Sequence, residues 1–202
     1  MIAIIDYGRG NLRSVQKGME RFGYPVTIAD SPEQLDEADG IILPGVGAFA
    51  DAMRQLRELG FVEPILRNIQ AGKPFLGICL GMQVLFAQGE EHGIHQGLGV
   101  FPGIVMRFPA GLKVPHMGWN QLDIKADTPL LAGVPQKSAC YFVHSYFAAT
   151  PQPELVLATS DYGVEFPAIV GRDKVFGVQF HPEKSSDLGL AILNNFGGMV
   201  EK

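Results

Sequence analysis

The sequence predicts an α/β fold: an open, mostly parallel sheet flanked by helices, with an antiparallel extension. Three observations carry this. Residues 1–88 alternate short apolar runs with stretches of helical periodicity, the pattern of parallel strands joined by crossover helices. Residues 100–180 hold strand-like runs separated by Gly, Pro and Asp turns, the pattern of antiparallel strands. The chain is 202 residues long, 47% hydrophobic and only 18% charged, which supplies a sizeable core in one domain spanning 1–202 and argues against disorder.

The elements follow in order. Met1–Asp6 reads as a buried strand, without the basic start of a signal peptide. Leu12, Val15, Met19 and Phe22 then recur at helical spacing. Val26–Ala29 and Gly40–Leu43 are the next two strands. A helical region runs over about 49–71, broken near Gly60 and Pro64, and Pro74–Ile78 is a fourth strand with a helix from Leu80 to Gln88. Val100–Phe108, Cys140–Phe147, Glu154–Ser160, Glu165–Gly171 and Lys174–Phe180 complete the strands, with a hairpin turn over Gly171–Lys174. A last helix starts near Ser185 or Ser186 and runs to about Met199, with Leu188, Ala191, Ile192 and Phe196 as its buried stripe.

Composition excludes several function classes. The net charge is −5, with no basic arm for nucleic acid. No apolar run approaches the roughly 18–20 residues that span a bilayer. Two cysteines, Cys79 and Cys140, do not make a disulfide framework and point to a reducing, cytoplasmic setting. No metal or cofactor signature stands out. His92 and His95 read as a surface loop, and His116 as part of a loop or turn. In Asp6-Tyr7-Gly8-Arg9-Gly10-Asn11, Arg13 stands where a dinucleotide loop needs its third glycine.

The sharpest local signal is Gly77-Ile78-Cys79-Leu80-Gly81. A buried strand enters it and a helix leaves it. That is the nucleophile-elbow pattern, with glycines two before and two after because the turn has no room for side chains. Cys79 is then held exposed at the carboxyl edge of the sheet, where helix N-terminal amides favour its thiolate. His181 ends a strand at that same edge. Glu183, two residues on across Pro182, faces the same side and can set the imidazole tautomer. Pro44-Gly45-Val46-Gly47 follows the third strand. It reads either as a plain turn or as an oxyanion donor that pairs with the Leu80 amide.

Together, Gly77–Gln83 and Phe180-His181-Pro182-Glu183 resemble the class I, triad glutamine amidotransferases. The segments Asp6–Leu12, Pro44–Phe49, Pro115–Asn120, Tyr141–Tyr146 and Lys184-Ser185 narrow the resemblance to the glutaminase subunits of imidazole glycerol phosphate synthase, over the chain from Met1 to the last helix.

This resemblance implies a flavodoxin-like fold and a cofactor-free glutaminase. Cys79, His181 and Glu183 would be its triad, and Val46, Gly47 and Leu80 its oxyanion hole. Gln83, Glu91, His144, Ser145 and Tyr146 would bind glutamine, Glu91 through the α-ammonium. It implies a heterodimer with a (β/α)8-barrel cyclase subunit, which receives ammonia through an internal channel and makes imidazole glycerol phosphate and aminoimidazole carboxamide ribotide in histidine biosynthesis. Asn11, Trp119 and Lys184 would contact that barrel. The glycines around Val46 would let that peptide rotate, so that partner binding sets the oxyanion amide.

The residues alone leave alternatives open. His144 also reads as a packed strand residue, Gln83 and Lys184 as solvated side chains, and Trp119 as core. At the level of function, another ammonia-using synthase or a stand-alone cysteine hydrolase fits the same triad.

Overall fold

The computed structural model describes residues 1–200. Its centre is an eight-stranded sheet. The parallel part contains β1 (Ile2–Ile5), β2 (Val26–Ala29), β3 (Gly40–Gly45) and β4 (Phe75–Cys79). Helices α1 (Leu12–Glu20), α2 (Gln34–Glu37), α3 (Phe49–Glu58) and α4 (Val62–Gln70) connect these strands. The break between α3 and α4 falls at Gly60, whose φ of +75° suits glycine.

After β4 the structure departs from expectation. The helix α5 spans only Leu80–Gln83, and β5 (Phe86–Gly89) replaces its predicted second half. The cause is burial on all sides. Met82, Val84, Leu85 and Phe86 are all fully enclosed, so the run has no polar face to present as a surface helix. β5 pairs with β6 (His95–Gln96) and β7 (Phe101–Arg107). The expected loop around His116 is likewise a strand, β8 (His116–Gln121). It alternates inward His116 and Asn120 with outward Met117 and Trp119, the period-2 pattern of a half-buried strand.

A short β9 (Asp123–Ile124) follows. The predicted strand Cys140–Phe147 is two strands, β10 (Ala139–His144) and β11 (Tyr146–Ala149), which pair with β8 and β7 respectively. The chain switches sheets at Ser145. Then come β12 (Val156–Asp161), β13 (Glu165–Arg172), β14 (Val175–Val178) and α6 (Ser186–Val200). β13 and β14 form the expected hairpin, with Asp173 at φ +55° in its turn.

The order in the large sheet is β2-β1-β3-β4-β14-β13-β12-β9. β14 is parallel to β4 and antiparallel to β13, so it joins the parallel half to the extension. Alternate residues feed two cores: Ile2, Ile4, Leu76 and Ile78 pack on the face covered by α1 and α6, while Ala3, Ile5 and Phe75 pack on the face of α3 and α4. Each such apolar side chain contributes about 1.5–3 kcal/mol on burial. Two filled faces leave the sheet's carboxyl edge as the place for a ligand.

Candidate active site

At that edge β3, β4 and the chain beyond β14 end side by side. Cys79 closes β4 with φ +55° and ψ −109°, a strained backbone for a residue with a side chain. The flanking glycines are sterically required. A Cβ on Gly81 would run into the Leu43 carbonyl, and one on Gly77 would lie 2.5 Å from the Gly81 carbonyl oxygen. The turn aims Cys79 into a cavity of about 260 Å³. The thiol is more enclosed than expected, with Cys79 only 6% exposed.

His181 Nδ1 lies 2.9 Å from Glu183 Oε1. Both side chains are buried. This bond assigns the proton to Nδ1 in the neutral ring and turns Nε2 toward the cavity. Burial disfavours the imidazolium, but the Cys79 sulfur and the Glu183 carboxylate outweigh it and push the His181 pKa up to about 10. A protonated imidazole between the Cys79 sulfur and the Glu183 carboxylate is the form these surroundings favour. Asn11 Nδ2 reaches Glu183 Oε1 at 3.4 Å.

The cavity is lined by Cys79, His181, Val46, Gly47, Leu80, Gln83, Glu91, His144, Ser145 and Tyr146, with Pro115 and Val143. The first ten were singled out from the sequence; the last two were not. Glu91 uses Oε2 to accept from the Phe49 amide at the start of α3, at 2.8 Å. The Val46–Gly47 segment differs from the rest of the lining. Val46 is 44% exposed, and Gly47 has φ +101° with the Arg9 guanidinium directly beside it. Arg9 is itself held by Gln55 and by Asp51.

Sequence reasoning missed a buried polar chain. Tyr146's carbonyl accepts from His144 Nδ1 at 2.8 Å and from Gln83 Nε2 at 2.9 Å. His144 Nε2 is 3.1 Å from His116 Nδ1, and His116 Nε2 is 3.3 Å from Asn120 Nδ2. Since a carbonyl only accepts, Nδ1 of His144 carries the proton. Nε2 then accepts from His116 Nδ1, and His116 Nε2 accepts from Asn120. Every tautomer is fixed, and both rings are neutral: burial pushes the His144 pKa down to about 3 and lowers that of His116. Pro115-His116 looked like a turn; its alternation with Met117 and Trp119 was the available strand signal.

Asn11, Lys184 and Trp119 do not line the cavity but flank one segment, residues 181–185. Asn11 reaches it through Glu183. Lys184 is exposed within it. Trp119, 56% exposed, meets Tyr141 edge to face at 6.1 Å. Tyr141 in turn accepts from the His181 amide and donates its own amide to Ser185 Oγ, both at 2.9 Å.

The family described as Glutamine amidotransferase class-I matches residues 3–198. The chain belongs to the class-I glutamine amidotransferase family. It is accordingly a glutamine amidotransferase. Among its curated relatives, the imidazole glycerol phosphate synthase subunit HisH of Desulfitobacterium hafniense is 59% identical over 100% of this chain and 96% of that protein. The subunits of the same name from Syntrophotalea carbinolica and Geobacter sulfurreducens are each 55% identical over 98% of this chain, covering 100% and 98% of those proteins. Among solved structures, a glutamine amidotransferase superposes with TM-score 0.76 at 21% identity, covering 98% of this chain and 100% of that one. PurLQS from Thermotoga maritima superposes with TM-score 0.79 at 20% identity, covering 100% and 98%. These structures share the fold. Among the described residues no helix is long and apolar enough to cross a membrane, and no group of three or more His, Cys, Asp or Glu is placed to hold a metal.

Proposed function

We propose that Cys79, His181 and Glu183 hydrolyse L-glutamine in this chain, and that the ammonia passes to a (β/α)8-barrel cyclase in a heterodimer. The enzyme is a glutaminase subunit of imidazole glycerol phosphate synthase, acting in histidine biosynthesis. The observation that supports the site reading best is the convergence of Cys79 and the His181–Glu183 pair on the cavity that also holds the expected glutamine-binding residues.

In this reading the Cys79 thiolate attacks the side-chain amide carbon of glutamine. Negative charge develops on the amide oxygen, where the Leu80 amide and the Val46–Gly47 segment supply donors; removing one such donor typically costs 10²–10³-fold. The His181 imidazolium gives its proton to the departing nitrogen, so ammonia leaves and a glutamyl thioester remains. Neutral His181 then takes a proton from water, the resulting hydroxide equivalent attacks the thioester, and glutamate leaves as the C–S bond breaks. Glu183 holds the imidazole in register throughout. Glu91 keeps Oε1 for the α-ammonium of the substrate. Asn11, Lys184 and Trp119 face the cyclase, and two free cysteines suit a reducing cytoplasm.

The decisive experiment measures glutamine turnover by the purified chain alone, with the cyclase subunit, and with the cyclase plus its ligand. Glutamine-dependent product formation in the complex is the expected result. Failure with this cyclase but success with another synthase would overturn the assignment of partner. Peptide cleavage by the isolated chain would favour a stand-alone hydrolase.

A further inference from the structure

The helix that follows Cys79 lends its sulfur little support. A helix of four residues has too few aligned peptides for a substantial dipole. A side chain takes up the role. Gln179 lies one residue beyond β14 and two before His181, with no exposed surface. Its Nε2 is 3.8 Å from Cys79 Sγ, and its Oε1 accepts from Gln83 Nε2 at 3.1 Å.

The orientation of that amide is fixed by its neighbours. The Tyr146 carbonyl can only accept, so Gln83 must present its NH₂ there. The second hydrogen of that NH₂ points at Gln179, which must answer with its oxygen. The Gln179 NH₂ is thereby turned to the sulfur. Through Tyr146 the same chain runs back to His144, His116 and Asn120, so no member can flip without breaking a buried bond.

We propose that Gln179 is a further catalytic residue: its amide N–H donates to the Cys79 sulfur, stabilising the thiolate before attack and again as it is released from the thioester. This rests on the reading of Cys79 as the nucleophile. The division of labour with His181 is chemical. His181 gives its proton away to the leaving nitrogen, whereas the Gln179 proton stays on nitrogen throughout.

The test is the pH dependence of alkylation by iodoacetamide, with the adduct located by mass spectrometry, in the parent, Gln179→Leu and the near-isosteric Gln179→Glu. The reagent does not need the glutamine-binding groups. Cys140 stays silent, because burial pushes its thiol pKa up to about 12. We expect the half-rate pH to rise by roughly half to one unit in Gln179→Leu, the loss of one hydrogen bond to a charged group at long range. In Gln179→Glu a carboxylate faces the sulfur and the rise is larger. Glutaminase kcat falls about 3–10-fold in Gln179→Leu, with KM changed less. An adduct on Cys79 with an unmoved profile in either folded variant overturns this proposal alone. An adduct elsewhere overturns the nucleophile reading and this proposal with it.

Discussion

The cavity has two walls built on opposite principles. The nucleophile wall, from β4, α5 and the end of β14, is buried, and the Gly77 and Gly81 backbone is in contact with its surroundings. Gln83, the buried Gln179 behind it and His144 at the end of β10 are bonded to one another or to backbone. The Val46–Gly47 wall is half exposed at Val46 and turns on a positive-φ glycine. Only one of these walls is set by the core of this chain. The other is left accessible to solvent or to a partner, beside the Arg9 guanidinium.

Substitutions should separate the two. Cys79→Ala should abolish glutamine hydrolysis, by on the order of 10⁴-fold or more, while ammonia-dependent synthesis by the cyclase partner persists; assaying the complex with each nitrogen source checks this. Gly81→Ala drives a methyl into the Leu43 carbonyl, and should destabilise by roughly 3 kcal/mol or more. For a chain of this size that lowers the thermal midpoint by about 6–12 °C. Gly47→Ala should do the opposite. Strain at φ +101°, with the Arg9 guanidinium having to give way to the methyl, costs about 1–3 kcal/mol in folding, yet glutaminase activity should fall about 10²-fold if an oxyanion donor is misplaced. Equal thermal losses in Gly47→Ala and Gly81→Ala would erase the contrast between the walls.

Two smaller effects sharpen it. Trp119→Ala should leave the thermal midpoint of the isolated chain almost unchanged and weaken cyclase binding about 30-fold, the size of a modest interfacial anchor, as titration calorimetry would read. Acid should act on the buried wall. In the native chain His144 stays neutral down to about pH 3, whereas the unfolded chain takes up the proton below about 6.5. The unfolded state therefore binds more protons in that window. Stability falls by roughly 1.4 kcal/mol per unit as pH drops from 6.5 toward 3. Chemical denaturation at several pH values measures the slope, and His144→Gln should flatten it.

Much of this was legible in the sequence, for a physical reason. An elbow needs glycines at fixed offsets, so the Cys79 turn was legible by spacing, and the short His181–Glu183 separation marked a pair that the structure bonds. The parallel strands were legible because burial on both faces demands uninterrupted apolar runs, as in Ile2–Ile5 and Phe75–Ile78. The same feature hid β5: an apolar run enclosed on every side carries no period, and Val84–Phe86 reads equally as helix or strand. Gln179 and His116 escaped because their role lies in partners far along the chain. Gln179 did leave one trace, a polar residue at the same strand parity as His181 in an otherwise apolar run.

The position of β14 also orders events during synthesis. Cys79 sits at the turn from β4 into α5 beside β3, and these elements are complete by residue 83. Gln179 arrives 100 residues after Cys79 and His181 two later, just beyond the strand that slots between β4 and β13. Synthesis delivers residues 1–83 before residues 179–183, while a domain generally folds as a unit. A ribosome-bound chain that ends before residue 179 therefore holds Cys79 without Gln179 or His181 beside it. In the proposed mechanism hydrolysis needs the residues just beyond the last strand of the large sheet, so a chain that ends before Gln179 should turn over no glutamine.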